Sequence, residues 1–284
     1  MDFETLFDGI GLEQEGRDSF RQLHARCEEP EFAASMAEGF RIYEEGDPAF
    51  GTFLESFSAR EQLPAEVLNL YFYLLKAMDT YAVYKEKGIR QEIFNNTFRD
   101  LAINSAMNRA ANGVYGIPQK IYRRWLRRYF ECRLYQIGNL RYELVPSPYD
   151  ARIGELSVTK GDRVLSVHIP GGNLEESRCE ASYATAREFF RKYYGMDTPV
   201  FFCLSWLLQP WLSQVLPPDS RIVRFQSKYK IIDFVDDPGD MLIWVFPKRF
   251  ENIEDYPEDN TLRRLTKERM RRGGILGYGV GVRL

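Results

Sequence analysis

His168 is one of only two histidines in the 284-residue chain, the other being His24. It closes an apolar stretch, Arg163 to Ile169, and the turn Pro170-Gly171-Gly172-Asn173 follows at once. A glycine-rich turn that opens a helix exposes backbone N–H groups, and these suit an anion such as a phosphate. Ser205 and Trp206 end a second apolar run, Val200 to Trp206. Together these residues place an imidazole, a hydroxyl and an indole around a possible anion cradle. Each also has a plainer role: a strand-end histidine that only satisfies hydrogen bonds, glycines that only permit a tight turn, a serine that only caps backbone. Cys203 reads as a small buried hydrophobe, since nothing near it in sequence would lower its pKa.

The elements around these residues follow from periodicity. Residues 163–169, 174–194 and 200–206 read as strand, helix and strand. Asn173 suits the helix N-cap, with Glu176 at capping-box spacing, and Gly195 suits its left-handed stop. A crossover helix makes the two strands parallel, and ligands of such units sit beyond the strands' carboxyl ends. That end is where His168, Ser205, Trp206 and the turn all fall.

Upstream, residues 1–130 carry apolar residues at helical spacing throughout, for example Leu70, Tyr71, Leu74, Leu75 and Met78. After about residue 134 the period changes to two, with Leu140, Tyr142 and Leu144 alternating with Arg141 and Glu143. A hairpin is expected from Gly154–Thr159 and Arg163–Ile169 about a Lys160-Gly161-Asp162 turn. Trp211–Leu216 suits a short helix, and Ser220–Tyr229 either a helix or a strand. A second hairpin, 231–235 with 241–246, is expected about Asp236-Asp237-Pro238-Gly239-Asp240. Thr261–Arg272 reads as a basic helix and Ile275–Leu284 as a terminal strand. The glycines of that strand mimic a phosphate loop, but they follow a helix and open none, so they signal close backbone approach instead. The fold class is α+β: an all-helical N-terminal domain, 1–133, then a mixed α/β domain, 134–284, with a central, mostly antiparallel sheet.

Composition narrows the function. Four scattered cysteines, no CxxC pair and two histidines argue against a metal centre. The net charge of -3 gives nucleic acid no global attraction, so such a partner is not expected, although 119–133 and 261–272 are locally basic. No apolar run reaches the roughly 20 residues that span a membrane. An acidic start and unpaired cysteines lead us to expect a cytoplasmic protein without membrane attachment.

The phrases LYQIGNLRYEL (134–144), LSVHIPGGNL (165–174), CLSWLLQP (203–210) and LPPDSRIVRFQ (216–226) resemble a group of bacterial acyltransferase-domain proteins. These join a helical N-terminal domain to one similar to the GCN5-related N-acetyltransferases (GNAT-like). The resemblance covers most of 134–230. It implies acetyl-CoA or another acyl-CoA as co-substrate, and an amine or peptide as acceptor. The usual Arg/Gln-x-x-Gly-x-Gly/Ala pyrophosphate signature does not stand at 170–178.

On that resemblance Ile169, Gly171, Gly172, Asn173, Leu174, Arg178 and Trp206 are the expected CoA contacts. Backbone N–H groups would carry the phosphates, with Arg178 reaching back toward the helix start. The acceptor amine must lose a proton to attack a thioester, so a base is needed. His168 is the first candidate, because its side chain titrates near neutrality unperturbed. Glu143 is the alternative. Ser205 or Tyr229 would protonate the leaving thiolate; Phe225 falls near the position of the phenol often found there. Two rival readings are a non-catalytic module on the same fold, and an RNA-binding protein using the basic helices.

Overall fold

The computed structural model describes residues 1–284 except Gly46, Gly172, Asn173 and Pro247; the side chains of residues 47–48, 119–123 and 240 are also outside the described set. The chain divides into two compact units, Met1–Gln136 and Ile137–Leu284.

The first unit is helical. Its elements are α1 (Phe3–Ile10), α2 (Gln14–Ala25), α3 (Pro30–Glu45), α4 (Asp47–Glu61), α5 (Ala65–Glu86), α6 (Gln91–Asn112) and α7 (Gln119–Phe130). Aromatic residues dominate its core: Phe7, Phe20 and Tyr71 meet in one group, and Phe50 and Phe72 in another. Several of its buried polar groups find partners, which offsets the cost of their burial. Tyr129 Oη donates to the buried Asp100 carboxylate at 2.7 Å, and Asn69 Nδ2 donates to the Ile117 carbonyl at 2.9 Å.

Strand β1 (Leu134–Ile137) spans the division between the units. The second unit then runs β2 (Leu140–Pro146), β3 (Ala151–Ile153), β4 (Leu156–Val158), β5 (Arg163–His168), α8 (Glu176–Tyr194) and β6 (Phe201–Ser205). It continues with α9 (Leu212–Val215), α10 (Arg221–Ser227), β7 (Lys230–Val235), α11 (Pro238–Val245), α12 (Thr261–Arg271) and β8 (Tyr278–Arg283). Its main sheet has the order β2-β5-β6-β8-β7. Only β5 and β6 pair in parallel; the other pairs of this order are antiparallel.

Two expected hairpins are replaced by other pairings. β4 pairs with β3 about Gly154 (φ 61°), while β5 pairs with β2 and β6. The turn at 160–162 is present, but it only carries the chain from one small sheet to the larger one. Residues 238–245 form α11 instead of a strand. Asp237 caps it by accepting the Gly239 N–H, with Pro238 in the first turn, a position where proline loses no hydrogen bond. Met241 and Val245, four residues apart, then bury against Trp211, Leu212 and Leu216. Ser220–Tyr229 resolves as a helix, with Ser220 Oγ accepting the Val223 N–H.

The terminal strand uses its glycines for close approach. A Cβ on Gly279 would lie 2.3 Å from the Leu208 carbonyl oxygen, and one on Gly281 2.9 Å from Tyr229 Cβ. This lets β8 lie between β6 and β7 directly beneath the segment 206–208.

Candidate active site

Side chains alternate across a strand, so pairing register decides which residues share a face. Tyr142 lies opposite Val167, and Glu143 opposite Ser166. Tyr142 faces α8: its hydroxyl is 2.9 Å from Ser182 Oγ, and its ring lies 5.8 Å from that of Tyr183. Phe201 packs on the same side, 4.9 Å from Tyr183. Glu143 and His168 therefore point to the other side of the sheet.

There they meet. His168 Nε2 lies 3.0 Å from Glu143 Oε2. The carboxylate is 5% exposed and the imidazole is partly exposed. The two alternative bases are thus one hydrogen-bonded pair. In the tautomer that donates Nε2–H to Glu143, Nδ1 is the acceptor nitrogen of the ring.

The parallel pairing beside them is short. Leu165 lies opposite Phe201 and Ser166 opposite Phe202, and no further pair follows. Yet β5 stays on β2 as far as His168, and β6 stays on β8 as far as Ser205. The two strands therefore part beyond Ser166 and Phe202, and His168 stands at one lip of the gap. On the other lip Leu204 is 40% exposed, although it lies in a central strand. Beyond Ser166 and Phe202 neither strand is the other's ladder partner, and an extended chain carrying amides, such as pantetheine, has the chemistry to lie along such a gap.

Ile169 and Leu174 are partly buried and Gly171 is exposed. Gly172 and Asn173 lie outside the described residues. The helix starts later than expected: α8 begins at Glu176, with Glu175 at the cap position and no side-chain cap bond. Arg178 accordingly falls in the first turn of the helix, where its Nε lies 3.0 Å from Glu175 Oε2. Lys228, which the sequence gave no reason to single out, reaches the same helix end, with Nζ 2.6 Å from Glu176 Oε1. The α8 N-terminus thus gathers two carboxylates and two cations.

The remaining candidates lie elsewhere. Ser205 Oγ accepts the Leu207 N–H at 3.2 Å, a local cap. Trp206 packs against the cluster of Trp211, Leu216 and Met241. Tyr229 is buried on the α8 side, its hydroxyl bonded to that of Tyr183. Burial pushes the Tyr229 phenol well above its usual range, so it stays protonated. Its neighbour Cys203 is also buried, and its thiol is pushed up to about 12 by desolvation, which makes it inert as a nucleophile. Arg283 completes this buried group. It lies 3.9 Å over the Tyr183 ring and makes two bonds to Glu180, at 3.0 and 3.1 Å.

Among the described residues no group of histidine, cysteine and carboxylate side chains could hold a metal ion. The basic helix α12 spends several of its arginines locally: Arg263 on Asp259, Arg271 on Glu254 and Glu258, Arg272 on Glu268. Among the described residues no helix is long and apolar enough to cross a membrane.

A sheet parted between parallel strands, with a crossover helix starting beyond the gap, defines the GCN5-related N-acetyltransferase class of fold. Residues 134–283 match the GNAT-like C-terminal domain family, and residues 1–132 match the N-acyltransferase N-terminal domain. The chain belongs to this two-domain family.

Crystal structures of an acyltransferase share the fold over 100% of this chain and 99% of theirs. The form in complex with decanoyl-CoA and teicoplanin has a TM-score of 0.66 at 21% identity. The form with CoA and 10C-teicoplanin gives the same values, and a mutant with octanoyl-CoA gives 0.65 at 21%. No curated protein matches the chain in sequence.

Proposed function

We propose that the protein transfers an acyl group from acyl-CoA to the amine of a small-molecule acceptor. The observation that carries this reading is the parting of β5 and β6 with the His168–Glu143 pair at its edge. Family membership supports acyl-CoA as donor, as do the similar structures that hold acyl-CoA or CoA. A similar structure that also holds teicoplanin supports a small-molecule acceptor.

In this reading the pantetheine lies in the gap and bonds to backbone groups of the two strands that face it. The pyrophosphate is held at the turn 169–175 by backbone N–H groups, with Arg178 and Lys228 supplying positive charge. Both cations already face a carboxylate, so phosphate binding has to compete for them.

The acceptor amine loses its proton to the imidazole of His168, and Glu143 fixes the ring and stabilises the imidazolium. The amine nitrogen attacks the thioester carbonyl, and the C–N bond forms. The C–S bond then breaks and the thiolate leaves with its electron pair. Tyr229, kept protonated by burial, is the donor to that thiolate once the sulfur has entered between the strands. Ser205 is the alternative donor, although its hydroxyl is engaged at the local cap.

Free-thiol release from a ladder of acyl-CoA chain lengths, measured with a panel of primary amines, tests the proposal. Amine-dependent CoA release with a matching acylated product is expected. Intact acyl-CoA with every amine would instead favour a non-catalytic module.

A further inference from the structure

The face of the sheet that carries His168 extends past the gap to a second polar group. The level of a residue follows from register. Ser166 is level with Phe202, so two residues on, His168 and Leu204 share a level. Leu204 lies opposite Val280, and Val280 opposite Asp233. His168, Leu204, Val280 and Asp233 therefore form one row on one face.

Asp233 joins that row because of an irregularity. Ile231 pairs with Gly281 and Asp233 with Val280, so Ile232 is an extra residue in β7. Without it Asp233 would fall opposite Gly279 and point to the α8 side. A bulge of this kind re-aims one side chain, and such bulges gather beside active sites.

What the bulge presents is an exposed carboxylate. Among the described residues no lysine or arginine pairs with it. Its Oδ1 accepts the Phe234 N–H at 2.7 Å. The Tyr149 phenol lies against the carboxylate with Tyr278 close by, and burial together with these neighbours raises its pKa. Tyr278, two residues from Val280, is on the same face. A carboxylate flanked by two aromatic rings suits a cationic group. Three strand spacings separate the β5 and β7 columns, about 14 Å before the parting of β5 and β6 is added.

We propose that Asp233, with Tyr149 and Tyr278, binds a second cationic group of the acceptor, so that the acceptor is a diamine or larger polycation whose reacting amine lies at His168. This rests on the acyl-transfer reading above. Exposed Leu204 supplies the apolar floor between the two ends of such a molecule.

The test compares 1,8-diaminooctane, octylamine and 1,3-diaminopropane at saturating acyl-CoA. The wild-type protein is expected to favour 1,8-diaminooctane over octylamine by about fivefold in kcat/KM, the size of one exposed ion pair. Asp233→Asn keeps the acceptor for the Phe234 N–H, so the fold is retained, and it should remove that preference. Octylamine turnover should stay within about twofold of wild type, and 1,3-diaminopropane, too short to reach, should not respond to the substitution. No diamine preference in the wild type, or an equal loss on all three amines, overturns the proposal while leaving acyl transfer standing. No transfer to any amine overturns both readings.

Discussion

Replacing His168 with glutamine is expected to lower kcat for acyl transfer by about 10²- to 10⁴-fold, the usual contribution of a positioned base. The fold should survive. A glutamine amide still donates to the buried Glu143 carboxylate, so that carboxylate is not left unpaired. The expected pattern is a fall in kcat with little change in KM for acyl-CoA and an unchanged thermal midpoint. Glu143→Gln completes the comparison: as a positioning residue it should lower kcat by less than His168→Gln does, with KM for acyl-CoA unchanged. Full activity of His168→Gln with loss in Glu143→Gln would reverse the roles and make the carboxylate the base.

The largest effect on stability is expected at Gly279. Its Cβ position is 2.3 Å from the Leu208 carbonyl oxygen, and that atom is backbone and cannot turn aside. Gly279 also pairs with Ser205 on one side and Phe234 on the other. Valine there must push β8 away from the segment above it or break its pairing. Overpacking of this kind costs about 3 kcal/mol, which lowers the thermal midpoint of a chain of this size by about 6–12 °C. Gly171→Ala is the matched control. Nothing lies within 4 Å of its Cβ position, so its midpoint should not move. Equal stability of Gly279→Val and Gly171→Ala would mean that β8 does not lie beneath Leu208 as described.

These two sites differ in how far the sequence exposes them. The glycines of the terminal strand carry their meaning locally: so many in a strand that opens no helix leave close approach as the physical use. The apolar run 200–206 likewise shows its burial, and α12 shows itself as a basic helix, whereas Ser220–Tyr229 reads equally as helix or strand until α10 is seen. Asp236-Asp237-Pro238-Gly239-Asp240 does not. The same residues that make a tight hairpin also make a helix start, with Asp237 capping and Pro238 in the first turn. Only the burial of Met241 and Val245 against Trp211, Leu212 and Leu216 decides between them, and that contact is not local.

The candidate site was legible as a set of residue types, and the pairing of His168 with Glu143 was not. His168 and Glu143 could each be singled out as a candidate base from chemistry and place on a strand. Nothing in the sequence says that β5 pairs with β2 in a register that puts Nε2 3.0 Å from Oε2. The expected pairing of β5 with 154–159 hid it. Lys228 was invisible for the same reason, since it meets Glu176 only through the packing of α10 on α8. The bulge at Ile232 leaves no trace at all, because one extra apolar residue in an apolar strand changes the face of Asp233 without changing the composition.

The thermal midpoint of the wild-type chain with and without millimolar CoA tests the central claim most directly, because it needs no knowledge of the acceptor. Ligand bound only by the folded state, at about 100 times its dissociation constant, adds roughly 2.7 kcal/mol. The expected result is a rise in midpoint that saturates with CoA and is weakened by removing Arg178 and Lys228 together, the two cations at the start of α8. A midpoint that does not move at millimolar CoA would contradict it.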